Sequence, residues 1–130
     1  MKKIHSAGED YLEAILVMQQ QQGNVRSIEL ARHMGYSRPS ISHAVGQLRE
    51  GGFVTVDGEG YLHLTESGLA IARKMYDRRQ FFLKLLAAVG VDSQTAEEDA
   101  CRMEHVVSDE SFQKLQILHD RALQMALYQA

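Results

Sequence analysis

Apolar residues recur along this chain at the three-to-four-residue spacing that is typical of amphipathic helices. The segments that this pattern predicts as helices are 8–22, 24 or 26 to 34, 38–50, 66–86, about 94–107, and 108 or 109 to about 128. Two runs between the third and fourth helices, 53–56 and 61–64, are instead rich in β-branched and aromatic residues and flank a turn with two glycines. The pattern predicts a mostly α-helical chain with one β-hairpin.

The second and third predicted helices have the arrangement of a helix-turn-helix. The shorter helix stops at Gly35, and Ser37 is a suitable N-cap for the next helix, with Pro39 in its first turn. A hairpin that directly follows a helix-turn-helix is the wing of a winged-helix domain. We therefore expect a winged-helix DNA-binding domain over residues 1–72 and an α-helical domain over residues 73–130.

The start of the third helix carries the side chains that we expect to read DNA, because this part of a helix-turn-helix enters the major groove. These polar or small residues are Ser37, Arg38, Pro39, Ser40, Ser42 and His43. Arg38 can pair with guanine edges or with a phosphate. Arg26 and Arg49, with wing residues such as His63, are weaker candidates for contacts to the DNA backbone. A helix-turn-helix that serves only as a scaffold is the less favoured interpretation, because a wing adjoins it.

The net charge of −3, from 14 basic and 17 acidic residues, argues against nucleic-acid binding only when it is taken as a total. Between residues 24 and 56 the only acids are Glu29 and Glu50, against four arginines, whereas residues 87–130 hold three basic and eight acidic side chains. The local field decides whether a surface approaches phosphates. The acidic third is either a solvated surface or a site for cations.

Two groups of side chains have the spacing of metal ligands. Cys101, Glu104 and His105 stand at i, i+3 and i+4, so a thiolate, a carboxylate and an imidazole share one helical face. Asp10 and Glu13 share a face of the first helix in the same way. Each group is weak evidence alone. A single Cys is often a small core residue, and carboxylates in the first turn of a helix commonly serve only to interact with the helix dipole. One Cys also excludes an intrachain disulfide framework and suggests a reducing compartment.

Taken together, these motifs resemble the metal-dependent transcriptional repressors related to the diphtheria toxin repressor and the manganese transport regulator. The matching segments are Glu-Asp-Tyr-Leu-Glu at 9–13, Ser-Arg-Pro-Ser-Ile-Ser at 37–42, Leu-Thr-x-x-Gly at 64–68, Gly-Val-Asp at 90–92 and Cys-Arg-Met-Glu-His at 101–105. The resemblance implies a cytoplasmic homodimer that pairs through its C-terminal helices. A divalent metal between the first and fifth helices would hold the two DNA-binding heads at the spacing of a palindromic operator, and so control metal-homeostasis genes.

The resemblance also implies a ligand set and a cofactor. Asp10, Cys101, Glu104 and His105 match ligand positions of the family, and Glu13 matches a position that ligates or bridges in manganese-type members. One divalent transition metal per subunit is expected: Fe²⁺ or Mn²⁺ by family habit, with Zn²⁺ compatible with a four-ligand shell. Because the chain ends at residue 130, we expect the two-domain form without the SH3-like domain of larger members.

The chain departs from the family at two positions. Arg79 stands where members with a second metal have a His, and Glu97 replaces another His, so we predict an Arg79–Glu97 ion pair in place of a second metal. The alternative function is a winged-helix regulator with a degenerate metal site and metal-independent DNA binding.

Two other classes of function are less favoured. An enzyme is not expected, since no nucleophile–base pair adjoins the cluster. An interaction module that binds another protein through the apolar face of the sixth helix is less favoured than a homodimer formed through that face. No apolar run approaches the 18 or so residues of a membrane span.

Overall fold

The computed structural model describes residues 6–129, while residues 1–5 and 130, which the predicted domains include, lie outside it. Its elements are α1 Ser6–Gln22, α2 Ser27–Met34, α3 Arg38–Glu50, β1 Val54–Val56, β2 Leu62–Leu64, α4 Glu66–Ala88, α5 Ser93–Val106 and α6 Asp109–Gln129. The chain divides into two compact units, Met1–Tyr76 and Asp77–Ala130, with the boundary inside α4. The predicted fold class, mostly α with a winged helix-turn-helix followed by helices, is confirmed.

The first unit packs α1, α2, α3 and the hairpin around one apolar core. Its most deeply buried side chains come from each of these elements and include Leu12, Ile15, Leu30, Ile41 and Leu62. The spacing of these residues is the one that predicted the helices, because each helix turns its apolar stripe toward the same centre.

The helix-turn-helix has the local geometry that the sequence indicated. Gly35 ends α2 with a φ of 72°, a left-handed conformation that a residue without a Cβ adopts without strain. The Ser37 hydroxyl then accepts the backbone N–H of Ser40 at 3.3 Å, so Ser37 is the N-cap of α3. The N-cap of α3 therefore lies only two residues after the C-cap of α2.

The wing is an antiparallel hairpin in which Val54 pairs with Leu64 and Val56 with Leu62. Its turn is closed by Asp57, whose carboxylate oxygen accepts the backbone N–H groups of Glu59 at 2.8 Å and Tyr61 at 3.0 Å. An acceptor that binds two amides of the same turn holds the hairpin tip in one conformation.

The start of α4 packs closely against the two residues before β1, Gly52 and Phe53. The hydroxyl of Thr65 accepts the Gly68 N–H at 3.1 Å, as an N-cap does, and donates to the Gly52 carbonyl at 2.7 Å. A Cβ on Gly68 would lie 2.0 Å from the carbonyl oxygen of Phe53. Only glycine permits this approach, which brings α4 against the wing.

The second unit has a small aromatic core. The rings of Phe81, Phe82 and Phe112 pack edge to face with centroids 5.3 to 5.9 Å apart, and Ala96 and Ala100 of α5 are buried. Farther along α6, large apolar side chains such as Leu118 and Leu127 are exposed. Along residues 6–129, no helix is long and apolar enough to cross a membrane.

Candidate metal centre and DNA-binding surface

One face of α5 brings together the thiolate, carboxylate and imidazole that the sequence singled out. Donor atoms of Cys101, Glu104 and His105 lie within 4.8 Å of one another. Glu104 is fully buried at 0% exposure, and its Oε1 lies 3.3 Å from Nε2 of His105. Cys101 and His105 are partly exposed. The helical spacing of i, i+3 and i+4 therefore gathers three potential ligands, as expected.

The guanidinium of Arg79 reaches into this cluster from α4. Its Nε and Nη2 each donate to a different oxygen of Glu104 at 3.2 Å, and Nη2 also donates to the Cys101 sulfur at 3.3 Å. This is the two-pronged arrangement that makes arginine–carboxylate pairs strong. The resulting charge compensation allows a carboxylate to be fully buried.

The predicted Arg79–Glu97 ion pair is wrong. Within the part of the chain that the structure describes, no hydrogen bond or ion pair joins these two residues, and Glu97 is exposed. The physical reason is the difference in solvation between the two carboxylates. An ion pair with an exposed Glu contributes little to the stability of the fold, whereas a buried carboxylate without a counter-charge costs roughly 3 to 5 kcal/mol.

The neighbouring Arg78 has a role that the sequence pattern did not indicate. Its side chain is buried and donates to the backbone carbonyls of Glu104, at 3.0 Å, and Val107, and to the Asp109 carboxylate at 2.6 Å. It thereby binds carbonyls at the end of α5, which have no partner within the helix, and the start of α6. The spacing to Phe82, four residues on and also buried, is the signal that places Arg78 on the inner face.

The two carboxylates predicted on α1 belong to the first unit. Asp10 is partly exposed, and Glu13 is buried at 2% exposure. Their ligand roles stay predictions. Next to Asp10, the ring of Tyr11 packs edge to face on Tyr36 with centroids 6.1 Å apart. Burial raises the pKa of Tyr11, and the neighbouring Tyr36 and Asp10 raise it further.

The predicted DNA-reading residues form an exposed polar surface on the first unit. The exposed residues are Arg26, Ser37, Arg38, Pro39, Ser40, Ser42, His43 and Arg49. The opposite stripe of α3, with Ile41, Val45 and Leu48, is buried in the core. Because the core holds only one face of α3, the other is presented to solvent along the whole helix. Base or phosphate contacts by these side chains stay predictions.

Two of the basic candidates also hold the wing. The Arg26 guanidinium lies 4.2 Å from the centroid of the Tyr61 ring, and its Nε donates to the Glu59 carbonyl at 3.1 Å. In the hairpin itself, Nε2 of His63 lies 2.8 Å from Asp57 Oδ2. This hydrogen bond is the main reason that the pKa of Asp57 is lowered, and the backbone N–H of Tyr61 lowers it further. Arg26 thus links the start of α2 to the wing tip.

A winged helix with an exposed polar third helix, in a chain that also gathers a thiolate, a carboxylate and an imidazole, defines a DNA-binding regulator with a candidate metal centre. Residues 3–64 match the iron dependent repressor, N-terminal DNA binding domain, and residues 65–122 match the iron dependent repressor, metal binding and dimerisation domain. The chain belongs to the iron-dependent repressor family.

Individual relatives agree with this assignment. An HTH-type transcriptional regulator of Methanocaldococcus jannaschii is 30% identical over 87% of this chain and 92% of its own length. The diphtheria toxin repressor of Corynebacterium diphtheriae is 28% identical over 88% of this chain. A solved manganese-dependent transcriptional repressor in complex with manganese is 28% identical over 85% of this chain, with a TM-score of 0.75. The chain spans about half the length of the latter two, 51% in each case.

Proposed function

We propose that this protein is a metal-responsive repressor that binds a palindromic operator as a homodimer when each subunit holds one divalent transition metal. Its targets are metal-homeostasis genes. The observation that carries the proposal is the convergence of Cys101, Glu104 and His105 within 4.8 Å in a chain that also has a winged helix.

The donor set fits a divalent transition metal. A soft thiolate, an imidazole and a carboxylate together suit Fe²⁺, Co²⁺, Ni²⁺ or Zn²⁺, and suit Mn²⁺ less well. By family resemblance Asp10 completes the ligand set. Glu13 stands at a position that ligates or bridges the metal in manganese-type members. The bound cation would supply concentrated positive charge, which neutralises the carboxylates and thiolate that it joins. The buried Glu104 is suited to this role because it needs a cation in its surroundings.

The first unit supplies the DNA-binding surface of the proposal. The N-terminus of α3 favours a phosphate, and Arg38 is long enough to reach a guanine edge from the same turn. Helix α1, which carries Asp10, contacts this region through the packing of Tyr11 on Tyr36, the residue before the Ser37 cap. This packing supports a mechanical connection from α1 to the start of the recognition helix.

The exposed apolar side chains of α6 support the homodimer. Leu118, Leu123, Met125 and Leu127 are between 51% and 77% exposed. Several exposed apolar side chains on one helix favour burial against a partner. A second copy of the chain is the most common such partner, since twofold-symmetric homodimers are the most frequent oligomers. The family model that matches residues 65–122 is that of a dimerisation domain.

DNA binding with and without metal tests the proposal. Duplexes enriched from a random-sequence library are titrated with protein in chelator, and then with Fe²⁺, Mn²⁺, Co²⁺ or Zn²⁺, with fluorescence anisotropy as the readout. We expect specific binding only with metal, and loss of the metal response in Cys101→Ala. Met103 is a partly buried neighbour whose thioether is a weaker ligand than the Cys101 thiolate. Met103→Ala is therefore the matched control and should retain the response. Equal binding in chelator and metal would refute the switch and establish the metal-independent alternative.

A further inference from the structure

Arg79 already binds two of the three donors that α5 supplies to the proposed metal centre. Its guanidinium contacts both carboxylate oxygens of Glu104 at 3.2 Å and the sulfur of Cys101 at 3.3 Å. We propose that Arg79 is an intramolecular competitor of the metal, which sets the free-metal concentration at which the cluster accepts a divalent cation. This inference rests on the proposed function, since it concerns the regulation of the same site.

The competition follows from the chemistry of the two cations. A guanidinium is permanently charged and has no acceptor, so it cannot become a ligand itself. Its N–H groups occupy both oxygens of Glu104 and the sulfur of Cys101, the atoms through which a metal ion would bind. A divalent cation on these atoms would also lie close to the positive charge of Arg79, which costs further free energy. Arg79 therefore has to leave the cluster before both donors can ligate.

The geometry allows this departure. The Arg79 side chain is 33% exposed, whereas Glu104 is 0% exposed. The guanidinium can therefore rotate into solvent while the carboxylate stays inside the unit, and no helix has to unfold. Without metal, Arg79 compensates the buried charge of Glu104; with metal, the cation takes over that compensation. One buried carboxylate thus exchanges one counter-charge for another.

The expected consequence is a raised threshold rather than an altered preference. The free energy needed to displace Arg79 is the same for every divalent cation, so the apparent dissociation constants rise by a common factor and their ratios stay unchanged. Cations that bind such donor sets weakly, with Mn²⁺ lowest in the Irving–Williams order, then reach the threshold only at the highest concentrations. Arg79 would in this way exclude weak binders at ordinary concentrations.

A competitor is distinguished from a merely structural residue by two readouts that move in opposite directions. Removal of a competitor tightens metal binding while it destabilises the metal-free protein, because Glu104 loses its counter-charge. Removal of a residue that only supports the fold weakens both. The test is therefore a Co²⁺ titration of the full chain under reducing, anaerobic conditions, followed by thiolate–Co²⁺ absorption, together with thermal unfolding in chelator.

Arg79→Gln is the principal variant, since the amide is polar but uncharged. We expect it to bind Co²⁺ about 10- to 100-fold more tightly than the wild type, since charge-assisted hydrogen bonds no longer oppose binding. Its metal-free unfolding midpoint should fall. Arg102→Gln, an exposed arginine next to Cys101, removes the same charge without a contact to the cluster and should change the affinity by less than about 3-fold. Arg79→Lys keeps the charge but not the fork and should give an intermediate affinity, which also provides a folded variant if the Gln form does not fold.

Three results would overturn the inference. An affinity of Arg79→Gln equal to or weaker than that of the wild type would refute the competition and leave the metal centre itself intact. An equal gain in Arg102→Gln would reduce the effect to long-range charge. Absence of Co²⁺ binding in the wild type and in every Arg79 variant would refute the proposed function and the inference with it.

Discussion

Replacement of Arg78 by Met is expected to destabilise the second unit more than any surface change there. The substitution keeps most of the apolar stem but removes three hydrogen bonds, to the carbonyls of Glu104 and Val107 and to the carboxylate of Asp109. Asp109 is 69% exposed, so its share of the loss is at most about 1 kcal/mol. The carbonyls lose a charged donor inside the unit, at roughly 1.5 kcal/mol each. We expect the free energy of unfolding to fall by about 3 to 4 kcal/mol.

Urea unfolding monitored by circular dichroism measures this loss, and hydrogen exchange locates it. Amides of the α5–α6 connection, residues 104–112, should exchange faster in Arg78→Met, whereas those of α3 in the first unit should not. Lys84→Met, an exposed position on the same helix, is the matched control and should change stability by less than about 0.5 kcal/mol. A loss below about 1 kcal/mol for Arg78→Met would show that the carbonyls find other partners, and would refute the reasoning.

Two further predictions concern the wing and its contact with α4. His63→Ala should raise the pKa of Asp57 toward its ordinary value of 3.8, because the His63 hydrogen bond is the main cause of the lowered pKa. Since the pKa of Asp57 is lowered in the folded protein, its carboxylate stabilises the wing at any pH above the ordinary pKa. This contribution is lost as the pH falls through the folded pKa. An NMR titration of the Asp57 carboxyl carbon measures the pKa and urea unfolding against pH measures the stability; an unchanged pKa in His63→Ala would contradict the assigned cause. Gly68→Ala should cost about 1 to 3 kcal/mol in urea unfolding, because its Cβ would meet the Phe53 carbonyl at 2.0 Å. Gly46→Ala in α3, where nothing lies within 4 Å, should be neutral or stabilising, and an equal loss in both variants would refute the close-contact argument.

Much of the fold was predictable because its signals are local. The caps at Ser37 and Thr65, the stop at Gly35 and the glycine-containing turn of the hairpin act within a few residues of their own position. The convergence of Cys101, Glu104 and His105 was predictable for the same reason, since it needs nothing beyond the 3.6-residue period of one helix.

The exposed surface of α3 was also predictable. An amphipathic helix that buries its apolar stripe leaves the remaining face in solvent, and the polar residues at 37–43 fall on that face. By contrast, the use of Arg26 as a clamp on the wing was not predictable. The contact joins residues 35 positions apart along the chain, and it depends on where the hairpin returns to α2.

The sequence by itself determined which side chains share a helix face; tertiary structure alone decided what each face meets. Arg78 and Arg79 are adjacent and identical in type, yet one binds the backbone carbonyls at the end of α5 and the other binds the side chains of Glu104 and Cys101. The difference arises because successive residues of a helix point about 100° apart, so α5 meets them on different sides. The burial of Glu104 then selects its partner, because a carboxylate removed from water requires a cation and Arg79 is within reach of both of its oxygens.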